Sequence, residues 1–205
     1  MSNKMIKSTL FCFVVFSIII TGCNTNPYEK NHYLLEAKRD SSTTNSSNQN
    51  IIEIRPFTID SAFSLKTLTY RIAQNKYESD YYNQFLISPA AMITETTKNW
   101  LWASGIAQKI QSPGSYNEPT HIIEGNIVSL YGDYRDKSSP KAVMEIRFFL
   151  LRPKSFAEPE IVFGKLYQSR LAIESKSPIG LINALNQCLM DILKNLEMDL
   201  REELK

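Results

Sequence analysis

Lys141-Ala-Val-Met-Glu-Ile-Arg-Phe-Phe-Leu-Leu151 is the stretch that decides the fold class. Ala142, Met144, Ile146, Phe148 and Leu150 fall on one side of an extended chain, and Glu145 and Arg147 on the other. That is the period-two pattern of a strand with one buried face. Upstream, residues 121–131 form a second long strand candidate, joined to the first by the turn-rich Gly132-Asp-Tyr-Arg-Asp-Lys-Ser-Ser-Pro140. Its alternation loses phase around Gly125-Asn126, where a bulge is expected. Downstream, residues 161–167 read as another strand, and Leu171-Ala-Ile173 as a further short one.

Working outward, Ile52, Ile54 and Phe57 suggest a strand ending near Pro56, while Leu68, Tyr70 and Ile72 alternate with Thr67, Thr69 and Arg71. Tyr33-Leu34-Leu35 fits a short first strand. The aromatic-rich stretch with Tyr77, Tyr81, Tyr82 and Phe85 follows neither period. Ser88-Pro89 opens a helix, the hydroxyl serving as N-cap and the proline at the first helical position. Met92, Ile93, Trp100, Leu101 and Ser104 lie near one face, and Gly105 is a C-terminal stop. Ser112-Pro113-Gly114-Ser115 is a turn. Ser177-Pro178 repeats the helix-opening device, followed by Ile182, Leu185, Leu189, Ile192 and Leu196 at three- and four-residue steps. The sum is an α+β domain: an antiparallel sheet with two helices packed mainly on one face.

The N-terminus has a different character. Lys4 and Lys7, with no acid, precede an apolar run at 10–20 broken only by Ser17, the layout of a secretory signal peptide. The run is shorter than the roughly 20 residues a spanning helix needs. It ends in Ile20-Thr21-Gly22-Cys23, which resembles the lipobox of bacterial lipoproteins. That resemblance implies cleavage between Gly22 and Cys23 and a diacylglyceryl group on the Cys23 thiol, with further acyl chains such as palmitate. Asn24, rather than Asp, follows the cysteine, which by the same resemblance favours the outer membrane. The expected organisation is a signal peptide at 1–22, a lipidated tether at 23–32 and one α+β domain at 33–205, with a flexible loop at about 38–50. Asp40-Ser-Ser-Thr-Thr-Asn-Ser-Ser-Asn-Gln-Asn50 has no apolar side chain whose burial would offset the entropy of ordering it.

Removal of the signal leaves 183 of the 205 residues, enough for one domain with a sizeable core. The chain has 23 basic and 21 acidic side chains, and losing Lys4 and Lys7 leaves 21 of each. A neutral domain lacks the clustered cationic surface that nucleic acid requires. Of three cysteines, Cys12 leaves with the signal and Cys23 takes lipid, so Cys188 has no partner for an internal disulfide and reads as a buried small hydrophobe. The chain has no Gly-x-Ser-x-Gly, His-Glu-x-x-His, Gly-rich phosphate loop or paired cysteines, and only His32 and His121 as histidines. The expectation is a protein that is not an enzyme, with no catalytic residues, no metal and no cofactor beyond the covalent lipid.

Binding is the remaining chemistry. Trp100 and Trp102 stand two apart and cannot share a helix face, so one packs inward and the other, Trp102, is a candidate partner contact. Both sealing the helix–sheet seam is the plainer alternative. Tyr81 and Tyr82, with Tyr77, are candidates for an interface, where tyrosine is enriched, or for a cap on the core.

The order of these pieces resembles the auxiliary lipoprotein component of ABC-type transport systems, the PqiC-like family. The matching segments are Tyr33-Leu34-Leu35 soon after the lipobox, Leu68-Thr-Tyr-Arg71 and Ser88-Pro89. His121-Ile-Ile-Glu-Gly125, Leu130-Tyr-Gly-Asp133, residues 142–151, Ile161-Val-Phe163 and the helix from Pro178 complete the series. The polar loop at 41–50 is longer than that pattern requires. The resemblance implies a non-catalytic outer-membrane lipoprotein facing the periplasm. It would dock MCE-domain proteins and their ABC transporter subunits, or hand over lipid to them. A homo-oligomer such as a ring would suit a subunit that caps a symmetric MCE assembly. The alternative is a structural or chaperone-like lipoprotein of an outer-membrane or secretion-machine assembly, which the fold alone does not separate from the first.

Overall fold

The computed structural model describes residues 29–39 and 49–205. The signal peptide, Gly22, Cys23, most of the tether and most of the polar loop lie outside the described residues. Nine strands and two helices follow: β1 (Asn31–Tyr33), β2 (Ile51–Ile54), β3 (Thr58–Ile59), β4 (Thr67–Ala73), β5 (Lys76–Phe85), α1 (Pro89–Ala103), β6 (Lys109–Gln111), β7 (His121–Asp133), β8 (Lys141–Lys154), β9 (Ala157–Ala172) and α2 (Pro178–Glu203).

The long strand β7 is the axis of the sheet. Along one edge it pairs antiparallel with β8, which in turn pairs antiparallel with β9. Its other edge is shared end to end by β2, β3 and β4, all parallel to it. Outside these lie β6, parallel to β2, and β5, antiparallel to β4, with β1 parallel to β5 at the margin. The sheet is therefore mixed, where the sequence led us to expect antiparallel pairing. Alternation reports which face is buried and carries no information on strand direction, whereas the long connection from β4 to β7, through β5, α1 and β6, permits their parallel alignment.

Both helices enter one core with the inward residues of the sheet. Met144, Ile146, Phe148 and Leu150 of β8 are fully buried, as expected from the alternation, together with Ile93 and Leu101 of α1 and Leu189, Leu193, Leu196 and Leu200 of α2. Cys188 is also fully buried, its Sγ 3.8 Å from the Ala142 carbonyl oxygen. On the opposite face, Phe63 stacks on Tyr131 at 5.7 Å and Tyr77 meets Tyr131 edge-on at 5.5 Å.

Local details correct the sequence reading. The first strand lies at Asn31–Tyr33 instead of 33–35, because Leu35 turns away from the sheet and is buried beside the helices. The two strands expected at 161–167 and 171–173 are one continuous β9. The bulge of β7 falls between Ile127 and Ser129, not at Gly125-Asn126. Gly125 interrupts the alternation for another reason: a Cβ there would come within 2.7 Å of the Phe57 ring. Ser88 begins α1 without a side-chain cap, its carbonyl oxygen accepting the Met92 N–H at 3.1 Å. Ser177 does cap α2, Oγ accepting the Gly180 N–H at 3.3 Å. Gly105 follows α1 with φ 62°, the left-handed stop a glycine permits.

Candidate functional site

The segment 33–39, which carries the chain from β1 to the polar loop, is strapped between the two helices. The Leu35 carbonyl oxygen accepts from Thr96 Oγ1 of α1 at 3.3 Å, and the Glu36 N–H donates to Asn186 Oδ1 of α2 at 2.9 Å. At its far end Arg39 donates to Glu197 of α2 through Nε at 3.0 Å and Nη2 at 3.1 Å. Glu197 also accepts from the buried Trp100 indole N–H at 2.9 Å and from Arg201 Nη2 at 2.7 Å. Burial alone would push the Glu197 carboxyl up. The hydrogen bonds from Arg39, Arg201 and Trp100 outweigh it and hold the carboxyl below its ordinary value. Sequence spacing gives no sign of this cluster, since its members lie on three distant segments.

Trp100 is thus consumed by the core, at 2% exposure, while Trp102 stands 63% exposed two residues on. Trp102 lies at the end of α1 that leads into β6, where β6 pairs with β2 and β2 with the opening residues of β7. The same end of the molecule carries two other fully exposed aromatics. Tyr116 sits in the loop between β6 and β7, and Phe156 at the tip of the β8–β9 hairpin, just past the Lys154–Ala157 pair. Phe156 adopts φ 59°, a left-handed position in the turn, and its ring is fully exposed. Neither residue stands out in the sequence, because an aromatic in a polar loop follows no period.

Tyr81 and Tyr82 are elsewhere. Thr69 pairs with Ser79 and Thr67 with Gln84, so residues 80–83 of β5 stand opposite Leu68 alone. Asp80 builds this excursion: Oδ1 accepts the N–H groups of Tyr82 and Asn83 at 2.9 and 3.0 Å, and Oδ2 accepts from Asn83 Nδ2 at 2.9 Å and Tyr70 OH at 3.0 Å. Burial and the neighbouring Asp80 push the Tyr70 phenol well up. The excursion is tied to β1, since Asn83 Oδ1 accepts from Tyr33 OH and Asn31 Nδ2, each at 3.1 Å. Broken out of the alternation, two consecutive tyrosines project together, their rings edge-to-face at 5.2 Å. Lys30 places its ammonium 4.1 Å from the Tyr81 ring centre. Tyr77 does not join them; it belongs to the aromatic cluster on the back of the sheet.

The candidate residues therefore divide between two ends, with α1, about 22 Å long, between them. β1 runs parallel to β5, β5 antiparallel to β4, and β4 parallel to β7. The N-terminal end of β1 consequently points the way β7 finishes, away from Trp102, Tyr116 and Phe156.

The buried His121 accepts or donates at Nδ1 with Thr120 Oγ1, 3.1 Å away, and burial, with Arg152 nearby, lowers its pKa. His32 is exposed on β1. A hollow of about 300 Å³ beyond β7 is lined by Asp133, Arg135, Asp136, Ser139 and Lys141, and there Arg135 holds the Asp133 carboxyl below its ordinary range through a 2.7 Å ion pair. Among the described residues, no group of three His, Cys, Asp or Glu is placed to hold a metal ion, and no helix is long and apolar enough to cross a membrane.

The fold has solved relatives in shape. Protein XCC0632 of Xanthomonas campestris, of family DUF330, superposes with a TM-score of 0.72 at 11% identity, over 84% of this chain and 96% of its own. The hypothetical protein CT253 of Chlamydia trachomatis gives a TM-score of 0.50 at 10% identity, over 75% of this chain and 98% of its own. At these identities the likeness is one of fold: the chain has the architecture of a DUF330 protein. No family model matches the sequence. Serpin-ZXA of Oryza sativa subsp. japonica is 26% identical over 103 residues, which are 49% of this chain and 26% of the serpin. The match thus spans about a quarter of the serpin's length.

Proposed function

We propose that this protein is a lipid-anchored, non-catalytic auxiliary subunit of an MCE/ABC-type lipid transport system, held on the periplasmic face of the outer membrane through Cys23. The observation that carries the reading is the DUF330 architecture over most of the chain, behind a lipobox-like Ile20-Thr-Gly-Cys23. DUF330 is the family to which PqiC-like lipoproteins belong. In this reading ATP is hydrolysed by the transporter's own subunits, and the present chain supplies a surface that docks the MCE-domain protein or receives lipid from it.

The geometry supports a division of labour. β1, the first described strand, starts toward one end of the sheet, and the exposed aromatics Trp102, Tyr116 and Phe156 occupy the other. Aromatic side chains offer large contact area at low entropic cost and are enriched in protein interfaces. A neutral domain on a short tether searches a small volume beside its membrane at high effective concentration for a fixed partner.

The test is purification from envelopes after mild crosslinking, with mass spectrometry of what accompanies the protein. An MCE-domain protein, lost when the folded domain is deleted, is the expected result. Recovery of a barrel-assembly or secretion component with no MCE protein would overturn the reading.

A further inference from the structure

The outer margin of β1 and β5 presents six exposed apolar side chains beside the point where the tether joins the domain. Tyr81 and Tyr82, 64% and 43% exposed, project from the Asp80 excursion. Leu34, Leu86 and Ile87 continue the surface along β1, each more than 40% exposed, and Leu65 adjoins them at 65%. Backbone bonds bring the three segments together: the Leu86 N–H donates to the Tyr33 carbonyl oxygen at 2.9 Å, and the Phe85 N–H to that of Lys66 at 2.6 Å. Two ammonium groups border the surface. Lys30 lies over Tyr81, and Lys66 Nζ donates to the Leu86 carbonyl oxygen at 3.2 Å.

Resting on the Cys23 anchor of the reading above, we propose that this margin lies against the lipid bilayer and fixes the orientation of the domain. Three observations select lipid over a protein. Cys23 stands six positions before Glu29, so the acylated residue reaches at most about 22 Å from the domain even when fully extended. The described chain begins beside Tyr82 and Tyr81, since β1 runs parallel to β5 with Asn31 beside Asn83 and Lys30 lies over Tyr81, so these rings flank the residues that lead back to Cys23. Their chemistry also suits the site: tyrosine and lysine have an apolar body and a polar tip, and concentrate where hydrocarbon meets headgroups. The Asp80 network contributes rigidity, holding two consecutive rings on one side of a strand that would otherwise point them apart.

The test uses the full acylated protein in vesicles of phosphatidylethanolamine and phosphatidylglycerol, with nitroxide labels at Tyr81→Cys, Leu86→Cys and, as reference, Trp102→Cys. Cys188 is fully buried, and a Cys188→Ala background removes it from consideration. Labels at 81 and 86 are expected to gain accessibility to membrane-soluble oxygen severalfold over aqueous nickel complex, while the label at 102 remains aqueous. Protein that floats with the vesicles while all three labels stay aqueous overturns the proposal and leaves the anchor standing. Protein that does not float overturns the anchor and, with it, the proposal. Shielding at 81 and 86 that appears only when an MCE-domain protein is added would reassign the margin to a protein partner.

Discussion

Glu197 ties three distant segments together, because one nearly buried carboxylate serves Arg39, Trp100 and Arg201. Replacing it with alanine removes the carboxylate that an indole N–H and two guanidinium groups share, and is expected to cost about 2–3 kcal/mol at pH 7, read from the urea midpoint. Its pH dependence has a definite sign. The folded carboxyl titrates below the ordinary 4.5, so as the pH falls past that value the unfolded chain takes up the proton first. The stability Glu197 contributes is full above 4.5 and is lost as the pH drops through the folded value. The gap between the wild type and Glu197→Gln should close over that window, and a gap independent of pH would contradict the charge network. Trp102 makes the opposite prediction. At 63% exposure its truncation to alanine should leave the melting temperature nearly unchanged while weakening partner affinity about tenfold or more, measured by titration calorimetry. Spacing sets the two tryptophans on different faces, since residues two apart on a helix diverge, but leaves open which one packs inward or whether both do. Spacing could not reveal that Trp100 donates to a carboxylate 97 residues away.

At the scale of elements, β8 and α2 were legible because each is long and periodic, and β7 through its length and apolar content, although its alternation is broken. β3 and β6 were not, since two or three residues are too few to display a period. β5 escaped for a physical reason. Its excursion at 80–83 inserts residues that have no partner on β4, and the alternation is lost where a carboxylate replaces the ladder. Asp80→Ala should release that excursion without unfolding the sheet. Hydrogen exchange at the Tyr82 and Asn83 amides is expected to quicken strongly, while exchange in β7 and β8 stays unchanged. Unaltered exchange at 82 and 83 would mean that the backbone holds its course without the side chain.

For the whole molecule, the consequence of the topology is polarity. Parallel pairing of β1 with β5 sets the start of β1 toward one end, and the β8–β9 hairpin, the loop before β7 and the end of α1 set Phe156, Tyr116 and Trp102 at the other. The two tryptophans were visible in the sequence, but the placement of Trp102 at the end opposite the start of β1 was not, because it depends on strand direction. Cys23→Ser should leave the domain folded, with an unchanged circular dichroism melt, yet free it from the outer-membrane fraction; a mutant that still fractionates there would contradict the anchor. A domain that holds the membrane at one end and an MCE-domain protein at the other is open to photocrosslinking in intact cells. A photoreactive amino acid at position 102 should yield a covalent adduct with an MCE-domain protein, and the same residue at position 81 should not. An adduct from 81 with none from 102, or adducts only with an unrelated envelope assembly, would contradict the account.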